Sequence, residues 1–82
     1  MKIYAVLDNK AKTFNAPFFQ PNQVAAVRAF NMEVNRADPL NAIHQHPEDF
    51  DLYYIGDYNT ETGQLLPHEP ELLVTAIKLK KE

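Results

Sequence analysis

The sequence predicts an α+β domain, a small and mainly antiparallel sheet of about four strands with one long helix packed on one face. Two kinds of periodicity and the turns between them predict it. Apolar residues alternate with a period of two near both ends of the chain, over 2–7, 50–58 and 72–79. They recur at spacings of three and four in one stretch only, residues 24–34. Turn-forming residues separate these segments, which gives the order β-α-(short α)-β-β-β. With 82 residues there is room for one core, so residues 1–82 are expected to form a single domain.

The first strand covers Lys2 to Leu7. Ile3, Ala5 and Leu7 fall on one face, Tyr4 and Val6 on the other. Apolar residues on both faces predict a central place in the sheet, or a second face covered by a partner. Asp8 and Asn9 close the strand with turn chemistry. Lys10 to Thr13 is a basic loop. Phe14 to Pro21 contains two prolines, which forbid a helix and favour an extended path. Three phenylalanines lie in that run, and each fully buried ring is worth about 1.5–3 kcal/mol. At least two of them are therefore expected to pack.

Asn22 is a good N-cap, and the helix is expected from Gln23 to about Arg36. Val24, Val27, Phe30 and Val34 form its apolar face, with Ala25, Ala29 and Met32 as a smaller stripe beside it. Asp38-Pro39 ends the helix. A short second turn over Leu40 to His44 would point Leu40 and Ile43 inward. Phe50 to Tyr58 alternates as a strand, with Phe50, Leu52, Tyr54 and Tyr58 on one side and Asp51, Tyr53, Ile55 and Asp57 on the other. Asn59 to Gly63 makes a tight turn with Gly63 placed for a positive φ. Gln64 to Leu66 is a short return strand, and Pro67 and Pro70 mark it as an edge or an end. Leu72 to Leu79 is the last strand.

Composition narrows function. There is no cysteine, so neither a disulfide nor a thiolate metal site is possible. The first apolar run breaks at Asp8, too short for a signal or a membrane span, so a soluble, non-secreted protein is expected. The net charge of −3 argues against a bulk nucleic-acid binder. That charge is uneven, however. Residues 1–41 carry five basic and three acidic side chains, residues 42–82 three basic and eight acidic.

Catalysis is not expected. The chain has two glycines and no serine, which rules out the glycine-rich phosphate loops and a serine triad. The carboxylate pairs sit beside no nucleophile. His44-Gln45-His46 with Glu48 or Asp49 has ligand-like spacing, but an H-x-H in a polar connector falls short of the three or four ligands a metal needs. No metal and no cofactor is assigned. The informative pattern is aromatic and basic: Phe14, Phe18, Phe19, Tyr53 and Tyr58 with Lys10, Lys12, Arg28 and Arg36. Binders of single strands combine stacking rings with cationic side chains in this way.

Several segments also occur in a family-like order and spacing. They are Met-Lys-Ile-Tyr-Ala-Val-Leu-Asp-Asn-Lys-Ala at the start, Phe14 with Ala16-Pro17-Phe18-Phe19, and Ala26-x-Arg28-Ala29-Phe30. Pro47-Glu48-Asp49-Phe50-x-Leu52-x-x-Ile55-Gly56 and Thr62-Gly63 follow. Over nearly the whole chain this resembles the small nonstructural protein of gokushoviruses and related microviruses, phages with circular single-stranded DNA. The resemblance implies a non-enzymatic accessory protein of the host bacterial cytoplasm, associated with viral DNA synthesis or packaging. It supplies no site residues. Together with the ring and charge pattern it yields an expectation of single-stranded DNA binding by Lys10, Lys12, Phe14, Phe18, Arg28 and Arg36. The alternative expectation is a module that contacts a viral or host protein. Small size and the doubly apolar first strand add an expected homo-oligomer, a dimer first.

Overall fold

The computed structural model describes residues 1–81. Its first strand, β1 (Lys2–Asp8), is central, as its two apolar faces require. On one side it pairs antiparallel with β4 (Phe50–Tyr58). On the other it pairs with two short strands, β2 (Thr13–Phe14) and β3 (Phe18–Gln20). These two form one interrupted edge strand. Asn15 still donates its amide to the Val6 carbonyl at 2.8 Å, and Pro17 stands in the gap. β5 (Leu65–Thr75) pairs with β4 and forms the opposite edge, so the sheet runs β2-β1-β4-β5. The α+β class with an antiparallel sheet is as expected, with five strands.

Helix α1 (Gln23–Val34) begins where the sequence places it. Asn22 Oδ1 accepts the Ala25 amide at 2.9 Å. The inward face differs from the simple reading. Ala26, Phe30 and Val34 are buried, whereas Val24 is 77% exposed. Val27 packs part-buried against the core, and Met32 faces solvent. The buried stripe is thus rotated by part of a turn, with Ala26 in the place expected for Val24. A short helix α2 (Ala42–Gln45) and a 3₁₀ turn, Pro47–Asp49, lead into β4. Ile43 packs on the core as expected, but Leu40 is 93% exposed. It sits in the turn held by Asp38, which accepts the Leu40 and Asn41 amides through its side chain and carbonyl.

Two corrections concern the C-terminal half. The expected short return strand and separate last strand are one strand, β5, and both of its ends pair with β4. The pairing slips around His68-Glu69-Pro70, which lie opposite Ile55 alone. The prolines therefore mark an edge and not an end. Beyond Thr75 the chain turns into a short helix, α3 (Ala76–Leu79), instead of continuing as a strand. Ala76 is fully buried there, and Leu79 is held by Asn35 Nδ2 donating to its carbonyl at 3.0 Å. This tertiary anchor overrides the β pattern of the sequence.

A third correction matters most for the site. β4 carries a bulge at Ile55: Ile3 pairs with Gly56, and Tyr4 with Tyr54. One extra residue reverses the facing of everything beyond it. Tyr58 consequently shares a face with Tyr53, and Asp57 with Tyr54, the reverse of strict alternation.

One face of the sheet carries the core. Tyr4, Val6, Phe50 and Leu52 pack there against Ala26, Phe30 and Val34 of α1 and Ala76 of α3. The other face has no helix on it among the described residues. Beyond the body, the β4–β5 hairpin extends the molecule to 42 × 24 × 20 Å. Gly63 closes that hairpin with φ of 76°, as expected. No helix among the described residues is long and apolar enough to cross a membrane.

Candidate nucleic-acid interface

The uncovered face starts from the odd residues of β1. Ile3 and Ala5 are 8% and 1% exposed, although no helix lies over them. Side chains from the neighbouring strands cover them. Phe14, opposite Leu7, meets Tyr53, opposite Ala5, across β1. Their ring centroids are 5.4 Å apart at an interplanar angle of 78°. Phe19, opposite Ile3, meets Tyr58 in the same way at 5.7 Å and 71°. Both are edge-to-face pairs, the arrangement aromatic quadrupoles favour. In each pair the tyrosine is half-buried and the phenylalanine open, Phe14 at 44% and Phe19 at 45%. Leu72, opposite Tyr53, continues the apolar surface towards the β5 edge.

Cationic side chains stand at one end of this face. The β1–β2 turn is built on Asp8, whose Oδ1 accepts the Lys10 and Ala11 amides at 2.9 and 3.2 Å. Its carbonyl accepts the Lys12 amide at 2.7 Å, and Lys12 takes the left-handed conformation with φ of 60°. The turn holds Lys10 and Lys12 exposed directly before Phe14. Asp51, opposite Leu7 on this face, accepts Asn9 Nδ2 at 2.9 Å, and Lys10 lines a pocket together with Asp8, Glu48 and Asp49.

The six sequence-selected residues divide between two sides. Lys10, Lys12 and Phe14 lie together at the end of the uncovered face. Phe18 alternates with Phe19, so its ring turns to the helix side, 5.9 Å from Tyr4, and packs on the core. Arg28 is exposed on α1, across the sheet from Phe14. Arg36 follows α1 and is held by Glu33 at 2.6 Å and Asp38 at 3.0 Å. Those contacts keep both carboxyls below the usual carboxylate range. For Glu33 the Arg36 hydrogen bond is the main cause, for Asp38 the Leu40 amide. The rings that complete the face are Phe19, Tyr53 and Tyr58. Their residue types were visible in the sequence, but their common side depends on the Ile55 bulge.

Two other clusters lie elsewhere. His46, Glu48 and Asp49 bring ligand atoms within 4.8 Å of one another on the 3₁₀ turn, open to solvent. His44 does not join them; its Nδ1 is 2.9 Å from the Val34 carbonyl, at the end of α1. On the helix side of the hairpin, Lys2 Nζ donates to Tyr54 Oη at 3.3 Å, which donates to Asp57 Oδ1 at 2.6 Å. His68 stacks edge-on against Tyr54 at 4.3 Å. The Tyr54 hydroxyl holds the Asp57 carboxyl below its usual range and raises the Lys2 ammonium; Asp57 in turn raises Tyr54.

Comparison with known proteins places the chain. The family described as Phage ORF5 protein matches residues 1–79. Protein ORF5 of Chlamydia phage 1 is 35% identical over 69 residues, covering 82% of this chain and 72% of that protein. No solved structure matches. The chain belongs to the Phage ORF5 protein family, in line with the small microvirus protein that the sequence resembles.

Proposed function

We propose that this phage protein is a non-enzymatic accessory factor that binds single-stranded DNA on the uncovered face of its sheet. The observation that supports the reading is the pair of ring clusters, Phe14 with Tyr53 and Phe19 with Tyr58, the first of them beside the Lys10–Lys12 turn. Stacking of one base on one ring contributes about 1–3 kcal/mol and tolerates any sequence. Two lysines suit an electrostatic contribution that is small, as a net charge of −3 demands. The setting would be viral DNA synthesis or packaging in the host cytoplasm.

Titration of labelled single-stranded DNA at low and moderate salt tests the reading. Binding should weaken with a log–log salt slope near −1.4, at about 0.7 per phosphate neutralised. Lys10→Glu with Lys12→Glu should weaken it by about tenfold or more at low salt. No binding at low salt, or binding indifferent to that double change, overturns the proposal.

A second reading draws on the β5 edge, where Leu65, Leu66 and Leu72 are 62%, 50% and 49% exposed. An exposed apolar edge of this length suits a protein partner or a second copy of the chain. A stoichiometric protein partner that survives nuclease treatment and is lost with Leu65→Lys would favour it. Light scattering that gives a monomer mass at high concentration would remove the second copy.

A further inference from the structure

The four rings fall into two pairs, and their spacing sets how a strand can lie on them. Phe14 is paired to β1 at Leu7 and Phe19 at Ile3, four residues apart on the same strand. At the 3.2–3.4 Å rise of a β-strand, that separation is about 13 Å. Beneath the first pair lies Ala5, opposite Tyr53, and beneath the second Ile3, opposite Phe19, at 1% and 8% exposed. The edge strand is interrupted over the same interval, at Asn15 to Pro17.

The two ends also differ in chemistry. The Phe14 end has Lys10 and Lys12 beside it and can hold a phosphate as well as a base. The Phe19 end is concave: Met1, Phe19 and Tyr58 line a shallow notch of about 440 Å³. Among the described residues no basic side chain lines that notch, although the Met1 ammonium donates to the Tyr58 carbonyl at 3.2 Å beside it. Lys2 is turned to the opposite face and held by Tyr54 and Asp57.

Building on the DNA-binding reading above, we infer that the face holds a single strand at two separate stations about 13 Å apart. The first is an anchored station at Phe14, Lys10 and Lys12; the second is a notch at Phe19 and Tyr58 that has no basic side chain. A stacked strand advances about 3.4 Å per nucleotide, so bridging the stations takes about five nucleotides, and fewer if the strand is stretched. A dinucleotide reaches one station only. Occupying the second is then an intramolecular step, which raises affinity sharply once the strand is long enough to span both.

The test is competition by unlabelled oligothymidylates of increasing length against a longer labelled oligothymidylate, at low salt. Affinity should step up by about tenfold or more between two and roughly five nucleotides, then level off. Phe14→Leu and Phe19→Leu keep apolar bulk and remove the ring, so both should fold. Each alone should erase the step, and their effects should be strongly non-additive on a spanning strand. Phe19→Leu should change dinucleotide binding by less than about twofold, since the dinucleotide prefers the anchored station. An even rise of affinity with length, with no step, overturns the two-station arrangement while leaving DNA binding intact. Additive effects of the two substitutions on a spanning strand overturn it too. Failure of the long strand to bind at low salt removes the underlying reading itself, and this inference with it.

Discussion

The two faces of the sheet bury their β1 residues almost equally well, by different means. On the helix side, Tyr4 and Val6 are covered by α1 and α3. On the other side, Ile3 and Ala5 lie beneath rings reaching over from β2, β3 and β4. The first arrangement fills a core, and removing any part leaves a cavity. The second shields small residues with large ones that stay half in water. A face of that kind contributes less to stability and keeps its rings free to meet a ligand.

The widest test of this contrast is to truncate one residue on each face. Phe30→Ala should cost about 3–5 kcal/mol and Leu52→Ala about 2–5, a large share of the 5–15 kcal/mol of a typical domain. Phe14→Ala should cost only about 1–2 kcal/mol, since its ring is half open and loses chiefly the edge-to-face pair with Tyr53. Urea unfolding measures all three. Equal losses for Phe30→Ala and Phe14→Ala would erase the distinction between the faces.

The next effect concerns the bulge that sets which side each ring occupies. A Cβ on Gly56 would meet the Leu66 carbonyl oxygen at 2.8 Å and Pro67 Cα at 3.1 Å, both backbone. Gly56→Ala must therefore push β5 away from β4, at a cost of about 1–3 kcal/mol. It should also loosen the Phe19–Tyr58 pair, visible as changed tyrosine fluorescence. An unchanged melting temperature would mean that the hairpin yields freely.

A smaller effect is expected at the start of α1. Asn22→Ala removes the bond to the Ala25 amide and should cost about 1 kcal/mol. Because the helix touches only the inner face, DNA affinity of this variant should stay at the parent value. A large loss of affinity would show that the two faces are coupled.

The smallest effects are those of pH. Glu33, Asp38 and Asp57 are held below their ordinary values in the folded protein. Folding thus favours their charged forms. Their contribution is complete above the ordinary carboxylate range, near pH 4, and is lost as pH falls through the lowered values. Lys2 and Tyr54 are raised, so their contribution is present below about pH 10 and lost as pH rises beyond it. Thermal melts in acid should show a shallower decline for Asp57→Asn than for the parent. Identical profiles would indicate that the Lys2–Tyr54–Asp57 contacts do not persist in solution.

Much of the molecule was legible from local chemistry. Asn22 reads as a cap because its side chain competes for a helix amide, and Gly63 as a turn because it tolerates positive φ. β1 reads as central because both of its faces are apolar. What stayed hidden depends on partners distant in sequence. The choice between Phe18 and Phe19 turns on register against β1, and two adjacent phenylalanines look alike until that register is known. Arg36 reads as a free cation until Glu33 and Asp38 fold around it.

The sequence by itself determined the α+β class, the helix start, the tight hairpin and the supply of rings and lysines at the N-terminal end. These rest on propensity and periodicity, which act within a few residues. Only the tertiary structure decided which rings share a face. One extra residue at Ile55 carries Tyr58 to the side of Tyr53, and β5 slips past it to remain paired. Such a bulge is fixed by how two strands fit each other and by the core beneath them. Strict alternation along β4 assigns Tyr58 to the opposite face.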